Sequence, residues 1–427
     1  MRALPLLLAV CLTASGVALA QDKAALGGDV AMAVGGHVEQ LLAFARERHP
    51  EFAAMRLEAD AAAARIEPAG ALPDPMFGIE LRDFATPDSG PNLLPGRVGS
   101  TRYTVTQSLP WFGKRDLKRD IAQASANEAE ARAAVLWADL AWQIKQAFAQ
   151  HYLHQTRLRY GRENLDLLER LEKIALARYT AGLASQQDAI RAQTERTALA
   201  SELAQLEGED AQVAARLISL LGASGGMKLL PPERLRSPLS PARLDAVALE
   251  ARLIERNPRL SADVARIGAA EKSRELAYRN RYPDVNVGLA AIQSRDRVTG
   301  WDLMFEINIP LQQDSRRAQE YEAERMLDAA RSRREATLNQ ALAELKENLA
   351  AWHAARRIEE LVSTRLLPQA ELTLQSALAG YETGKVDFAT VLDAQRQIRK
   401  AREDLVRARV AQELRRADIE RAIGEEL

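Results

Sequence analysis

The stretch that decides the fold is the nine-residue run WDLMFEINI at positions 301–309. Its odd positions are all apolar, whereas the residues between them are mostly polar and include Asp302 and Glu306. Strict alternation predicts a β-strand, because successive side chains of a strand point to opposite faces. A tilted strand needs about nine to eleven residues to cross a bilayer. The run therefore predicts a membrane strand whose apolar face meets lipid.

Three further stretches alternate in the same way. They are the predicted strands at 76–84, 102–108 and 284–294, of which the second has the weakest pattern. Together with 301–309 they form two predicted hairpins. Two ordinary hairpins packed on a soluble core are the alternative interpretation.

The chain is an internal repeat with a period of about 200 residues, longer than most solenoid periods. Four short motifs recur in the same order in both halves. They are His49-Pro50 with Asn257-Pro258, Leu72-Pro73-Asp74 with Tyr282-Pro283-Asp284, Ser108-Leu109-Pro110 with Asn308-Ile309-Pro310, and Tyr179-Thr180-Ala181-Gly182 with Tyr381-Glu382-Thr383-Gly384. The predicted first repeat is 21–222, the linker is 223–245 and the second repeat is 246–427. One hairpin falls at the same place in each repeat, which favours the membrane interpretation.

Long helices fill most of each repeat. Residues 113–180 lack proline and are rich in Ala, Leu, Glu, Arg and Gln, which predicts a helix about 100 Å long. Its counterpart at 312–380 is interrupted only by Pro368. Helices of this length pack lengthwise in coiled coils or bundles. The predicted fold class is mainly α, with long antiparallel coiled-coil helices and a β-barrel contribution of four transmembrane strands.

The first twenty residues predict a secretory signal peptide. Arg2 precedes an apolar run at 4–12, and the small-residue cleavage pattern Ala18-Leu19-Ala20 follows. Cys11 is the only cysteine of the chain and lies in this segment, where lipidation is the alternative interpretation. After Gln21 no stretch reaches the ~18 apolar residues of a spanning helix, so we expect strands to make any membrane contact.

Closure of the sheet predicts an oligomer. A membrane strand with an unpaired edge leaves polar backbone groups in hydrocarbon, so the sheet must close on itself. Four strands are too few, because the smallest membrane barrels have about eight. Two copies would supply eight strands around a filled interior, whereas three would supply twelve and leave room for water. A water-filled conduit therefore predicts a homotrimer.

The layout of the chain resembles the TolC family of outer-membrane efflux channels over essentially the whole mature chain. Two motifs within the repeat carry this resemblance. QSLPWFGKR at 107–115 is similar to the strand-to-helix junction of the heavy-metal branch, which serves cobalt–zinc–cadmium and copper–silver pumps, and LPDPM at 72–76 is similar to the start of its first strand. The resemblance implies a trimeric twelve-stranded barrel in the outer membrane and a helical tunnel across the periplasm. It also implies a passive exit duct whose partners are a periplasmic membrane-fusion adaptor and a proton-driven inner-membrane RND transporter.

The predicted junction between strand and helix also has a physical logic of its own. Pro110 and Pro310 end the hydrogen-bonded ladder, and Gly113 permits a backbone angle that other residues avoid. Trp111 and Phe112 are placed for the aromatic belt at a bilayer interface. The lysine and arginine that follow Gly113 are expected on the watery side. A buried tryptophan at a domain seam is the alternative.

Each half reverses its long helices at a glycine-containing tip. Gly182 and Gly384 are suited to the left-handed angles that end a helix, and Ser185 and Asp387 can cap the next helix. The tips are either plain turns or, as the resemblance implies, the periplasmic end that meets the adaptor. The predicted docking residues are Gly182, Leu183, Ala184, Ser185 and Gly384.

The resemblance further implies a periplasmic gate closed by two rings of aspartate, one turn beyond the second tip. The matching positions are Thr390 and Asp393, so one ring is missing. Three copies of Asp393 would form an electrostatic filter and a candidate cation site, and a solvated helix-face charge is the alternative. Tyr381 resembles the gate tyrosine of the family, and Asp188 stands at a roughly equivalent place in the first repeat.

The composition and the motifs of the chain bear on other classes of function. The 58 basic and 59 acidic residues offer no basic surplus for nucleic acid. His151 and His154 are the only histidines at helical spacing, no zinc motif or phosphate loop accompanies them, and we expect neither an enzyme nor a cofactor. Two alternatives to a heavy-metal duct stay open. They are an organic-solute channel of the same family and a soluble periplasmic coiled-coil adaptor.

Overall fold

The computed structural model describes the chain over residues 34–84, 93–95, 97–223, 227–295 and 297–427. The predicted signal peptide at 1–20, with Cys11, lies outside these residues. Within them, no helix has both the length and the apolar character needed to cross a membrane.

Two sets of elements follow one another in the same order. The first set comprises helices α1 (Val38–Arg48), α2 (Pro50–Ala64) and α3 (Ile66–Gly70), strands β1 (Met76–Arg82) and β2 (Ser100–Leu109), and helices α4 (Lys114–Thr180) and α5 (Gln186–Leu220). The second set comprises helices α6 (Ala246–Arg256) and α7 (Pro258–Arg279), strands β3 (Val285–Ser294) and β4 (Arg297–Ile307), and helices α8 (Gln313–Leu361), α9 (Leu367–Glu382) and α10 (Phe388–Ile423). A 3₁₀ turn at Pro241–Leu244 precedes the second set. This order does not fix the predicted repeat boundaries, which stay predictions.

Helix α4 is the longest element and runs for 67 residues without a break. At 1.5 Å per residue it extends about 100 Å. Its one interior glycine, Gly161, lies where α5 comes close, because a Cβ there would sit 2.4 Å from Leu203 Cδ2. The glycine that weakens the helix locally therefore brings α4 and α5 into close contact.

The counterpart of α4 in the second half is interrupted near Pro368, as predicted, and the interruption is a π-helical turn. Helix α8 ends at Leu361, the π turn occupies Val362–Leu366, and α9 begins at Leu367. Proline has no N–H to donate within an α-helix, and its ring clashes with the carbonyl one turn earlier. A π turn accommodates this mismatch by widening the helix.

The four strands form a single antiparallel sheet in the order β1-β2-β3-β4. The observed strand bounds differ from the predicted ones by up to four residues. The largest change is in β4, which begins at Arg297 because Arg297 pairs with Ser294 and Val298 with Gln293. In the described part of the chain, β1 and β4 are the edge strands and each pairs on one side only.

One face of this sheet is apolar across all four strands. The register places Phe77, Val105, Leu289 and Leu303 in one row, and all four side chains are exposed. Trp301, Phe305 and Ile307 are exposed on the same face of β4. The apolar alternation predicted from 301–309 is therefore present as a continuous surface.

The opposite face of the sheet is largely polar. Arg102 on β2 forms an ion pair with Asp302 on β4, with Nη2 and Oδ2 3.3 Å apart. Ser108, Asn286 and Glu306 form a polar row across the lower part of the sheet. The two faces thus differ sharply in polarity, as expected for a sheet with lipid on one side and water on the other.

The helices pack around several apolar clusters. One cluster joins the tip ends of α4, α5, α9 and α10 and contains the fully buried Phe388 and Val391. A second joins α1 to α4 and α5, and a third joins α6 to α8 and α10. The first cluster draws on both halves of the chain, so the two tips are held as one packed unit.

Candidate functional site

Both tips have the same backbone geometry. Gly182 and Gly384 have φ angles of 73° and 70°. At the first tip the N–H of Leu183 donates to the carbonyl of Arg178 at 2.8 Å, and at the second the N–H of Lys385 donates to that of Gly380 at 2.8 Å. This hydrogen bond, which spans six residues, ends a helix and requires a residue in the left-handed conformation. Glycine adopts that conformation without strain. The predicted glycine conformations are confirmed.

The helix after each tip begins differently. Asp387 caps α10, because its Oδ1 accepts hydrogen bonds from the Thr390 N–H at 3.0 Å and the Thr390 hydroxyl at 2.5 Å. Ser185 occupies the matching position before α5, but its hydroxyl forms no capping bond. The cap expected of Ser185 is therefore absent, whereas Thr390, predicted to lie at the gate, is bonded to Asp387 at the start of α10.

The predicted docking residues of the first tip are accessible. Leu183 is 69% exposed, and a Cβ on Gly182 would meet nothing within 4 Å. Ser185 is exposed and Ala184 is half-buried beside it. The first tip thus presents an exposed leucine next to a glycine with open space around it.

Tyr381 is buried at the base of the second tip. Its ring packs against Phe388 with the centroids 5.4 Å apart, and the Arg178 guanidinium lies 4.7 Å from its centroid. Arg178 Nη1 also donates to the Tyr381 carbonyl at 2.6 Å. An arginine from the first half therefore binds the C-terminal end of α9 in the second, where cations are favoured by the helix dipole.

The hydroxyl of Tyr381 has no hydrogen-bond partner among the described residues. Burial raises the pKa of Tyr381; the Arg178 guanidinium opposes the shift and the Asp188 carboxylate adds to it. Asp188, half-buried in the first turn of α5, is therefore close enough to act on the tyrosine electrostatically. The structure brings these two predicted gate residues into one neighbourhood.

Asp393 lies one turn after Thr390 in α10 and is exposed. Its Oδ1 is 3.4 Å from Nη1 of Arg396, whose guanidinium also binds Glu195 on α5. The hydrogen bonds from Arg396 lower the pKa of Glu195. Asp393 therefore has a cation beside it, which the sequence prediction of an acidic ring did not include.

Two arginines at this end of the molecule were missed by sequence reasoning. Arg178 directly precedes the repeated Tyr-x-x-Gly motif, and Arg396 follows Asp393 by three residues, a spacing that places both on one helix face. That spacing could have identified Arg396. Nothing in the sequence pairs Arg178 with Tyr381, because that contact joins the two halves.

The junction at the other end of α4 has the geometry predicted for it. Gly113 has a φ angle of 81° and immediately precedes α4, while β2 ends just before Pro110. Phe112 is 84% exposed, and Trp111 stacks on Tyr282 with centroids 5.4 Å apart and planes 8° from parallel. Trp111 is thus half-buried against an aromatic partner, and Phe112 projects freely.

The lysine after Gly113 is buried and ion-paired rather than free in solvent. Lys114 is buried, and its Nζ donates to Asp284 Oδ1 at 2.8 Å and to the Tyr282 carbonyl at 2.9 Å. Asp284 also accepts the Trp111 N–H at 2.8 Å. The sequence does not indicate these contacts, because Asp284 of the repeated Tyr-Pro-Asp motif approaches the junction only once β2 and β3 pair.

Pro310 lies three residues beyond the end of β4. Pairing continues for one bond past that strand, from the Asn308 N–H to the Asp284 carbonyl at 3.1 Å. The carbonyl of Pro310 accepts a hydrogen bond from the Gln313 side chain at the start of α8. Pro310 is therefore in the connection between sheet and helix rather than at the strand end.

Within the described ranges, no group of three or more His, Cys, Asp and Glu side chains is placed to hold a metal ion. His151 instead contacts Asp210, with Nδ1 and Oδ1 2.7 Å apart, where α4 packs on α5. This histidine is part of a buried interhelical contact.

Comparison with known proteins gives three kinds of match. A family model described as outer membrane efflux protein matches residues 41–223 and 249–425. The cobalt-zinc-cadmium resistance protein CzcC of Cupriavidus metallidurans is 27% identical over 381 residues, which cover 86% of this chain and 84% of that protein. Both matches extend across the two halves of the chain.

Solved structures share the fold at low sequence identity. A structure of CusC has a TM-score of 0.76 at 20% identity and covers 95% of this chain and 96% of its own. The outer membrane protein VceC of Vibrio cholerae has a TM-score of 0.76 at 17% identity, with 91% and 96% covered. Helices and sheet thus share the arrangement found in those proteins.

Proposed function

Because the chain belongs to the outer membrane efflux protein family, we propose that it is the outer-membrane exit duct of a tripartite efflux pump. It is passive, without a catalytic step or a cofactor. Its strands lie in the outer membrane and its helices extend into the periplasm.

The observation that carries the proposal is the sheet with one exposed apolar face and two open edges. In hydrocarbon each unpaired backbone group costs several kcal/mol, so β4 of one copy must pair with β1 of the next. Three copies supply twelve strands, enough for a water-filled cylinder. The functional unit is therefore a homotrimer that contacts outer-membrane lipid through the apolar face.

The junction residues support a membrane boundary between the strands and the helices. Trp111 and Phe112 lie where sheet gives way to helix, the level at which aromatic side chains favour a bilayer interface. Asp284 accepts hydrogen bonds from the Trp111 N–H and from Lys114 at this level. We propose that the aromatic pair marks the periplasmic surface of the outer membrane.

The tips are proposed to be the contact with the rest of the pump. A periplasmic membrane-fusion adaptor would dock on Gly182, Leu183, Ala184, Ser185 and Gly384, and an inner-membrane RND transporter would complete the assembly. The exposed Leu183 offers an apolar contact in open space. Tyr381, Asp188 and Asp393 would form the gate, which opens when adaptor contacts favour a second arrangement of the tip helices.

The proposed cargo is heavy-metal cations. Support comes from the similarity to a cobalt-zinc-cadmium resistance protein across 86% of this chain. Exposed Asp393, repeated in three copies, would provide a weak cation site along the path. An organic cargo is the alternative that the following test separates.

The test is growth of a deletion strain on cobalt, zinc and cadmium salts and, in parallel, on organic dyes. We expect the deletion to lower metal tolerance several-fold, the intact gene to restore it, and dye tolerance to stay unchanged. Sensitivity to dyes alone would assign an organic cargo. A protein that washes off membranes or fractionates with the inner membrane would instead support an adaptor.

A further inference from the structure

A trio of charged side chains joins α10 to α5 beside the proposed aperture. Arg396 on α10 binds Glu195 on α5 through two hydrogen bonds, Nε to Oε1 at 3.0 Å and Nη2 to Oε2 at 2.5 Å. Its remaining nitrogen, Nη1, is 3.4 Å from Asp393 Oδ1. Two parallel bonds to one carboxylate fix the plane of a guanidinium. Arg396 is therefore held beside Asp393 and cannot swing freely into solvent.

The neighbouring ion pairs show what is particular about Arg396. Arg399, one turn further along α10, binds Glu202 on α5 at 2.6 Å, so the two helices are joined by a row of such pairs. The Arg399 side chain is only 25% exposed, whereas that of Arg396 is 52% exposed and that of Asp393 is 66% exposed. Within this row Arg396 faces open space together with the aspartate.

We propose that Arg396 is a specificity-determining residue that limits the attraction of the Asp393 ring for divalent cations. The inference rests on the proposed function, in which three copies of α10 surround the aperture. Each copy then contributes two carboxylates and one guanidinium, or one net negative charge instead of two. Arg396 acts as a tethered cation in the space that a metal ion would otherwise occupy.

The physical consequence concerns release as well as entry. Conduction requires a site that attracts an ion but lets it leave, and closely spaced carboxylates without a counter-charge hold divalent ions strongly. A fixed guanidinium weakens that hold without removing the local negative potential. The duct thus keeps a mild cation preference and avoids being blocked by its own cargo.

The test uses the purified full-length protein in planar lipid bilayers at about 0.1 M KCl, where screening acts over about 10 Å. Reversal potentials under a salt gradient give the potassium-to-chloride permeability ratio, and added cobalt chloride gives the concentration for half-block. The variants are Arg396→Gln, Glu195→Gln, Asp393→Asn and the double variant Asp393→Asn/Arg396→Gln. Arg402→Gln is the control, because Arg402 pairs with Glu163 on α4 instead.

We expect Arg396→Gln to raise the permeability ratio about threefold and to lower the cobalt concentration for half-block. Asp393→Asn and Glu195→Gln each remove one negative charge, so both should lower the ratio. The double variant should return close to the wild-type ratio, and the control should leave it unchanged.

Two results would overturn the inference in different ways. If Asp393→Asn shifts selectivity but Arg396→Gln does not, Arg396 has no part in permeation and the proposed gate stands. If neither changes selectivity, Asp393 is a solvated helix charge and the gate of the proposed function fails too. Should Arg396→Gln not assemble, the double variant decides the matter, because a permeability ratio equal to that of Asp393→Asn alone would show that Arg396 has no part in permeation.

Discussion

At the scale of single residues, the two tips depend on glycines whose surroundings are open, whereas the left-handed Gly424 at the end of α10 is enclosed. Gly182 has a φ angle of 73° with nothing near its missing Cβ, but a Cβ on Gly424, whose φ angle is 76°, would lie 2.6 Å from the Arg256 carbonyl oxygen. The first position needs glycine for its backbone angle alone. The second needs it for the angle and for space.

This difference predicts unequal losses of stability. Gly182→Ala should cost about 1–2 kcal/mol, the penalty of a left-handed alanine. Gly424→Ala should cost about 1–3 kcal/mol more, because backbone atoms of Arg256 must move. Thermal unfolding midpoints of the two purified variants in detergent check this order. Equal decreases in the two midpoints would show that space around Gly424 is not limiting.

The residue scale also shows why Arg178 matters more than its sequence context indicates. Its guanidinium contacts both the ring and the carbonyl of Tyr381, so one side chain links the first tip to the proposed gate residue. A hydrogen bond from a charged donor contributes about 1.5–3 kcal/mol. The two tips are therefore joined through this one side chain.

At the scale of elements, the sheet predicts opposite responses on its two faces. Leu303→Arg places a charge on the apolar face of β4, where lipid would impose a cost of about 2–4 kcal/mol. Glu306→Arg changes charge on the polar face of the same strand and is the matched control. We expect several-fold less assembled protein in the outer-membrane fraction for Leu303→Arg and near-normal amounts for Glu306→Arg. Similar yields for both would argue against lipid contact at Leu303.

Helix α4 and its counterpart in the second half differ, although the two halves have the same order of elements. Helix α4 is continuous, while its counterpart is divided by the π turn at Val362–Leu366. The hydroxyls of Ser363 and Thr364 bind the carbonyl of Glu360 there, which provides partners as the helix widens. The break leaves α9, which carries Tyr381, as a separate 16-residue segment next to the tip.

At the scale of the whole molecule, trimer formation predicts a specific cross-link. Cysteines placed at Glu80 on β1 and at Gly300, Asp302 or Met304 on β4, all on the polar face of the sheet, should join neighbouring copies for at least one of the three pairs. Within one copy these strands are separated by β2 and β3, about 14 Å, which is too far for a disulfide. Oxidised samples should therefore show covalent dimers and trimers on denaturing gels.

The single-cysteine variants are the control for this experiment, since the natural chain has only Cys11, in the predicted signal peptide. They should give no trimer. Absence of any cross-linked species in all three pairs, from protein shown to be in the membrane, would contradict closure through β1 and β4.

Sequence reasoning predicted the elements of this molecule better than the contacts between them. The alternation at 301–309, the proline-free run at 113–180 and the glycine tips each depend on residues close together in the chain, and all three are present. The ion pairs of Lys114 and Arg396 with distant residues were not predicted. Their partners, Asp284 and Glu195, are about 170 and 200 residues away, so local patterns carry no information about them.

The amino-acid sequence by itself determined which segments are helix and strand, which side of each strand is apolar, and where each long helix reverses. These properties follow from periodicity and backbone preference, which act over a few residues. Only the tertiary structure decided that Arg178 holds Tyr381, that Lys114 is buried on Asp284, and that Arg396 binds Glu195. Each of these contacts joins distant parts of the chain, and electrostatic interactions depend on distance in space rather than along the sequence.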